Sequence, residues 1–137
     1  MTDTLGWGAP CGTTTQIAHV VEDLRASIDH FVGDCGAGPF FGLAHFLQPG
    51  QVYRGAPSTA DETIAMGFAG NTWFELIQPL DDEPSAYRET IVARGFGFHH
   101  FGVAYRDVET LDVWWFMNHY ETYCREHGVA INPQLYL

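Results

Sequence analysis

The sequence predicts an α+β fold built from two paired βαβββ-type modules, the second of them shortened, within one domain spanning residues 1–137. Three observations predict it. The first is an internal repeat. Phe98-His99-His100-Phe101-Gly102-Val103-Ala104-Tyr105-Arg106-Asp107-Val108 has a weaker copy in Gln16-Ile17-Ala18-His19-Val20-Val21-Glu22-Asp23-Leu24. A constant offset of 84 positions sets Gln16 on His100, Ala18 on Gly102 and Asp23 on Asp107. The second is that each copy reads as a strand running into a helix cap, Asp23 or Asp107. The third is a hairpin signal: two strand-like runs, 62–69 and 72–78, meet at Gly70-Asn71. Module one then spans about residues 13–80 and the partial second module about 97–137.

Taken in order, residues 1–12 are a Gly/Pro-containing arm with Trp7 as its docking residue and no readable chemistry. Residues 13–21 form the first strand, and Asp23 caps a helix in which Leu24, Ile28, Phe31, Val32 and Cys35 recur at helical spacing. Gly33, Gly36 and Gly38, then Pro39, end it. The chain is strand-like over 40–47, breaks at Pro49-Gly50 and resumes over 51–55. In the strand 72–78, alternation puts Trp73, Glu75 and Ile77 on one face and Phe74, Leu76 and Gln78 on the other. An acidic group therefore sits between two bulky apolar neighbours. Pro79 stops that strand, and Asp82-Glu83-Pro84 starts a helix that runs to about Arg94 and closes at Gly95. After the His-His strand, Asp107 caps a long helix ending at Gly128, and residues 129–137 are extended. Within that helix Trp114-Trp115-Phe116-Met117 are consecutive and point all round the axis, so one buried face cannot take all four and a second partner surface is implied.

Composition excludes several classes. With 137 residues, 46% of them hydrophobic and 15% aromatic, the chain has material for a real core. A formal charge of −11 opposes nucleic acid or an anionic membrane surface as partner. All six basic residues are Arg, so Schiff-base chemistry, pyridoxal-phosphate anchoring and a phosphate-loop lysine are excluded. No apolar run approaches a membrane span, and no basic segment followed by an apolar run opens the chain. Cys11, Cys35 and Cys124 are odd in number and far apart, which opposes a disulfide framework or a thiolate zinc site and fits a reducing cytoplasm.

Strand alternation places Gln16, Ala18 and Val20 on one face and His100, Gly102 and Ala104 on the equivalent face of the second copy. One polar group followed by small residues is what a cavity-lining strand carries. By the same parity His19 and His99 face away. Glu75 reads either as a structural acid paired with Arg54 or Arg106, or as a carboxyl raised by desolvation that moves protons. Tyr53, Arg54 and Trp73 suit a ligand, the Arg for a carboxylate or phosphate and the rings for flat or acyl groups, although core packing explains Tyr53 and Trp73 equally well.

The order strand, helix, several strands, then strand and helix again resembles the glyoxalase/bleomycin-resistance/extradiol-dioxygenase superfamily, the vicinal oxygen chelate proteins. Its methylmalonyl-CoA epimerase branch is the nearest in flavour. The residues that carry the resemblance are 16–24, Gly36-Ala37-Gly38-Pro39-Phe40-Phe41, Phe74-Glu75-Leu76-Ile77-Gln78-Pro79-Leu80, Pro84-Ser85-Ala86-Tyr87-Arg88-Glu89 and Gly97-Phe98-His99-His100-Phe101-Gly102. Metal-dependent members converge four side chains, and the resemblance puts the first three at Gln16, Glu75 and His100. The fourth, 84 positions beyond Glu75, falls past Leu137. Gln is a poor donor beside imidazole, so a divalent metal is expected to be weak or absent.

Cysteine usage implies a cytoplasmic protein, Trp114 to Met117 and the open sheet edge of a shortened module imply a homodimer, and the resemblance implies a protein with a small-molecule cavity. Its chemistry would be that of an isomerase, epimerase or lyase, with proton removal beside a carbonyl and the enolate held by a metal or by hydrogen bonds. Glu75 would carry the proton, and His100 would be metal ligand or oxyanion donor. The alternatives are a non-catalytic small-molecule binder of the resistance-protein type, and an interaction protein working through the aromatic Trp114 helix.

Overall fold

The computed structural model describes residues 12–47 and 49–103. Outside the described residues lie the arm with Trp7 and Cys11, the continuation of the second repeat past Val103 with Arg106, the long helix expected to carry Trp114 to Met117, and the extended piece expected over 129–137.

The elements are β1 (Thr14–Val20), α1 (Leu24–Cys35), β2 (Phe40–Leu43), β3 (Val52–Tyr53), β4 (Ala56–Pro57), β5 (Glu62–Ala69), β6 (Thr72–Pro79), α2 (Ala86–Arg94) and β7 (Gly97–Val103). Five strands make one mixed sheet in the order β2-β5-β6-β1-β7, in which β1 runs parallel to β6 and antiparallel to β7. β3 and β4 form a separate two-stranded ribbon. Among the described residues no helix is long and apolar enough to cross a membrane.

Local chemistry accounts for the boundaries. The Asp23 side chain accepts a hydrogen bond from the Ala26 N–H at the start of α1, and Gly36 closes the helix at φ 64°, a left-handed conformation that glycine adopts without strain. Gln78, on the helix-facing side of β6, adds a second acceptor for the free donors of α1 by taking the Leu24 N–H at 2.9 Å. Two expectations are corrected here. Gly33 lies inside α1 rather than ending it, and Val32 and Cys35 are exposed, so the packed stripe narrows to the half-buried Leu24, Ile28 and Phe31. Helix α2 starts at Ala86, later than Asp82-Glu83-Pro84, because the Ser85 side chain takes the Arg88 N–H while Asp81 takes the Glu83 N–H in a turn.

The strand expected over 40–47 ends at Leu43, and residues 51–55 do not continue it. They form half of the β3–β4 ribbon, which turns at Arg54 and Gly55 with φ 49° and 82°. Two consecutive positive φ values give a turn that matches the twist of its strands.

The sheet carries a different core on each face. On the helix face Val21, Ala65 and Leu76 are buried against Leu24, Ile28, Phe31 and Phe40. On the opposite face Ala18, Phe46, Ile64 and Ile77 pack with Leu43, Met66 and Tyr87. Glu75 and Ile77 thus share the second face as alternation requires, while Phe74 stacks on Phe31 of α1.

The pairing of β1 with β7 has the symmetry of the repeat. Gln16 lies opposite Gly102 and Ala18 opposite His100. Since the repeat equates Gln16 with His100 and Ala18 with Gly102, exchanging the two copies maps the pair Gln16–Gly102 onto the pair His100–Ala18, as a local two-fold axis between the strands demands.

Candidate functional site

On the face away from α1, one row of residues crosses four strands. Met66 of β5 is beside Glu75 of β6, Glu75 beside Ala18 of β1, and Ala18 beside His100 of β7. Ala18 is fully buried and contributes only a methyl group. Over that low point Glu75 and His100 reach each other, with His100 Nε2 3.5 Å from Glu75 Oε2. The adjacent row is Trp73, Gln16 and Gly102. Gly102 has no side chain, and Gln16 occupies the space: a Cβ at residue 102 would sit 2.7 Å from the Gln16 Cβ. From there Gln16 Nε2 donates to Glu75 Oε2 at 2.8 Å. The two small residues of the repeat are therefore what lets the three polar ones converge.

The electrostatics follow from burial. The Glu75 side chain is only 13% exposed, and desolvation pushes its carboxyl up to about 7. Burial, and then the neighbouring His99, lower His100. Tyr87, reaching in from α2, is raised by burial and by the charges of Glu75 and Glu62, so its phenol keeps its proton. Glu62 is a second buried carboxyl, 5% exposed and raised to about 7 by desolvation and by Asp61, Asp81 and Glu75.

Gln16, Glu75 and His100 are thus brought together. Trp73 shares their face by parity and stacks on Phe68 at 5.9 Å, with its buried indole N–H lacking a partner among the described residues. Tyr53 and Arg54 turn elsewhere: both bond to Glu89 of α2, Arg54 Nη2 at 2.6 Å from Glu89 Oε1. This corrects one reading of Glu75, since the partner of Arg54 is Glu89. His19 lies on the helix face against Phe31 and Phe98, as parity requires.

His99 does not behave as parity requires. The register slips between Ala18/His100 and His19/Phe98, which leaves His99 as an extra residue in β7. A bulge of this kind turns a side chain out of alternation. Phe98 and Phe101, three apart, now stack at 4.6 Å, while the Nδ1 atoms of His99 and His100 approach to 2.8 Å. Strand alternation therefore misses His99, and the Phe98–Phe101 spacing was the available signal. Glu62 and Tyr87 were missed because nothing local marks them; both become site neighbours only through strand order and the docking of α2.

A divalent metal fits this set poorly. The three residues offer one carboxylate, one imidazole and one carboxamide whose NH2 group faces the carboxylate, and no group of three or more His, Cys, Asp or Glu suited to a metal occurs among the described residues.

Comparison with known proteins adds a family and a fold. A family model described as the Glyoxalase/Bleomycin resistance protein/Dioxygenase superfamily matches residues 15–115. A search of curated proteins finds no match. Among solved structures, a hypothetical protein from Bacillus halodurans C-125 superposes with a TM-score of 0.52 at 20% identity, covering 85% of this chain and 69% of its own. A methylmalonyl-CoA epimerase in complex with methylmalonyl-CoA and NH4+ gives 0.47 at 17% identity, covering 86% and 71%. The Mycobacterium tuberculosis methylmalonyl-CoA epimerase gives 0.47 at 16%, covering 85% and 64%. At these identities the Bacillus halodurans likeness is one of fold alone.

Proposed function

We propose that this chain, which belongs to the glyoxalase/bleomycin resistance protein/dioxygenase superfamily, uses Glu75 to remove a proton beside the carbonyl of a small molecule held on the face of the sheet that carries Gln16 and His100. One observation carries the reading: a carboxyl buried among apolar neighbours, pushed up to about 7, held by Gln16 and faced by an imidazole. A base is most effective when its pKa lies near the working pH. In the step itself the C–H bond breaks, its proton moves to a Glu75 oxygen, and its electron pair becomes the enolate. The enolate oxygen then takes a hydrogen bond from His100 Nε2–H or from the Tyr87 phenol. Return of the proton completes an exchange, an isomerisation or an epimerisation. Gln16 orients the carboxylate and does not titrate.

Proton exchange tests this without knowledge of the product. In heavy water, deuterium should enter beside the carbonyl of some member of a panel of 2-substituted acyl thioesters and 2-oxo compounds. Glu75→Gln keeps the shape of the side chain while removing the base, and should slow that exchange by on the order of a hundredfold or more. Exchange by Glu75→Gln at the parent rate would show that Glu75 is not the base. Compounds that bind without exchanging would favour a non-catalytic binding protein.

A further inference from the structure

We propose that His99 is a positioning residue that fixes the tautomer of His100, keeping a proton on His100 Nδ1 and leaving His100 Nε2 to face Glu75. This rests on the reading above that Glu75 and His100 do the chemistry. The geometry is a directional chain that starts at a group able only to accept. The carbonyl oxygen of Ala86, the first residue of α2, is 3.3 Å from His99 Nε2. That contact is a hydrogen bond only with a proton on His99 Nε2. A neutral His99 of that tautomer has a lone pair on Nδ1, so the 2.8 Å contact between the two Nδ1 atoms is a bond donated by His100 Nδ1–H. The Nε2 of His100 is then the one ring position left, and it stands 3.5 Å from Glu75 Oε2.

Two further observations support a built arrangement rather than a chance contact. The bulge in β7 is what brings His99 to this face, since without it adjacent side chains of the strand diverge. The Tyr87 ring packs on His99 with centroids 5.1 Å apart and holds the imidazole from the α2 side. The consequence for catalysis is specific. With Nδ1 committed, a proton shared between Glu75 and His100 can sit only on Oε2 or Nε2. When it sits on Nε2, the carboxylate is free to act as base and the N–H points toward the enolate, while the His99 Nδ1 lone pair holds the ring by its other N–H. An imidazole turned to the other tautomer would put its lone pair on Nδ1 and lose that support.

Nitrogen NMR on protein labelled with 15N-histidine, in neutral buffer, tests this with no substrate present. The expected result in the parent is a protonated Nδ1 on His100, assigned by its loss in His100→Gln, with a through-hydrogen-bond 15N–15N coupling to the Nδ1 of His99. His99→Phe should move the His100 proton to Nε2. His99→Gln can still donate to Ala86 and accept from His100, and should restore the parent pattern. For any compound that exchanges, His99→Phe should lower kcat on the order of tenfold or more with KM little changed, and His99→Gln should recover most of it. An unprotonated Nδ1 on His100 in the parent, or the absence of the coupling, overturns the proposal, as does a folded His99→Phe with the parent pattern and rate. Coupling present without exchange of any compound would sink the catalytic reading and leave the tautomer assignment standing. Glu75-dependent exchange without the coupling would do the reverse.

Discussion

Two carboxyls buried in one small sheet make an unusual demand on the fold, and they make it in a pH-dependent way. Glu62 and Glu75 both rise from the usual 4.5 to about 7. A carboxyl that the folded chain protonates more readily than the unfolded chain stabilises fully below 4.5 and loses that contribution as pH rises through about 7. For one such group the difference corresponds to at most roughly 3 kcal/mol. Thermal midpoints should therefore fall between about pH 5 and pH 8, beyond what ordinary titration explains. Glu62→Gln, which keeps the buried shape and abolishes the charge, should flatten that fall and raise the midpoint at about pH 8, with little gain near pH 4. A midpoint of Glu62→Gln that tracks the parent across the range would contradict the assignment. The same side-chain inventory bears on metals. Since Gln16 brings an NH2 group to Glu75 Oε2, and His100 also faces that oxygen, a divalent ion is expected to bind weakly. Elemental analysis after mild chelation should find well under one metal per chain. Stoichiometric zinc, nickel or cobalt surviving chelation would mean that another side chain completes a site.

At the scale of elements, the space between strands matters as much as the groups on them. Gln16 reaches Glu75 because Gly102 opposite it is bare, so Gly102→Ala should drive a Cβ into the Gln16 side chain and cost about 1–3 kcal/mol in urea unfolding. It should also separate Gln16 from Glu75. Unfolding at the parent urea midpoint would show that the strands yield more easily than this packing allows. This spacing was legible in advance: the repeat puts Ala18 and Gly102 on the face shared by Gln16 and His100, and alternation sorts Trp73, Glu75 and Ile77 from Phe74, Leu76 and Gln78, because the period of a strand is a local property. The hairpin at Gly70-Asn71 was legible for the same reason. His99 was not, because a bulge is set by the register of two strands far apart in sequence and overrides the alternation of one. Nor was the turn at Arg54, where a residue not favoured at positive φ adopts 49° beside Gly55 and commits its guanidinium to Glu89. The late start of α2 belongs to the same class, since Asp81 and Ser85 compete as local acceptors and the sequence alone does not rank them.

For the molecule as a whole, the site is a product of pairing. Gln16 and Glu75 come from the first repeat and its following strands, His99 and His100 from the second, and the two-fold register of β1 with β7 joins them. Held around that seam is a chain with 17 acidic and six basic residues and a net charge of −11. Two opposed effects then depend on salt. The ion pairs Arg25–Asp29, Arg54–Glu89 and Arg88–Asp82 have exposed or half-exposed members, contribute little, and weaken as salt screens them. Repulsion among the surplus carboxylates weakens too, and it includes the Asp61, Glu62 and Asp81 group, where like charges already raise Glu62. With nearly three acids for each Arg, repulsion is the larger sum, so screening should favour the folded state. Raising sodium chloride from about 10 mM to about 200 mM shortens the screening distance from roughly 30 Å to under 10 Å. The thermal midpoint at neutral pH should rise over that interval, and Glu62→Gln, with one charge fewer in the crowded group, should show a smaller rise. A midpoint that falls with salt would mean that the few arginine pairs outweigh the acidic surplus and that the charges are arranged far more favourably than their numbers imply.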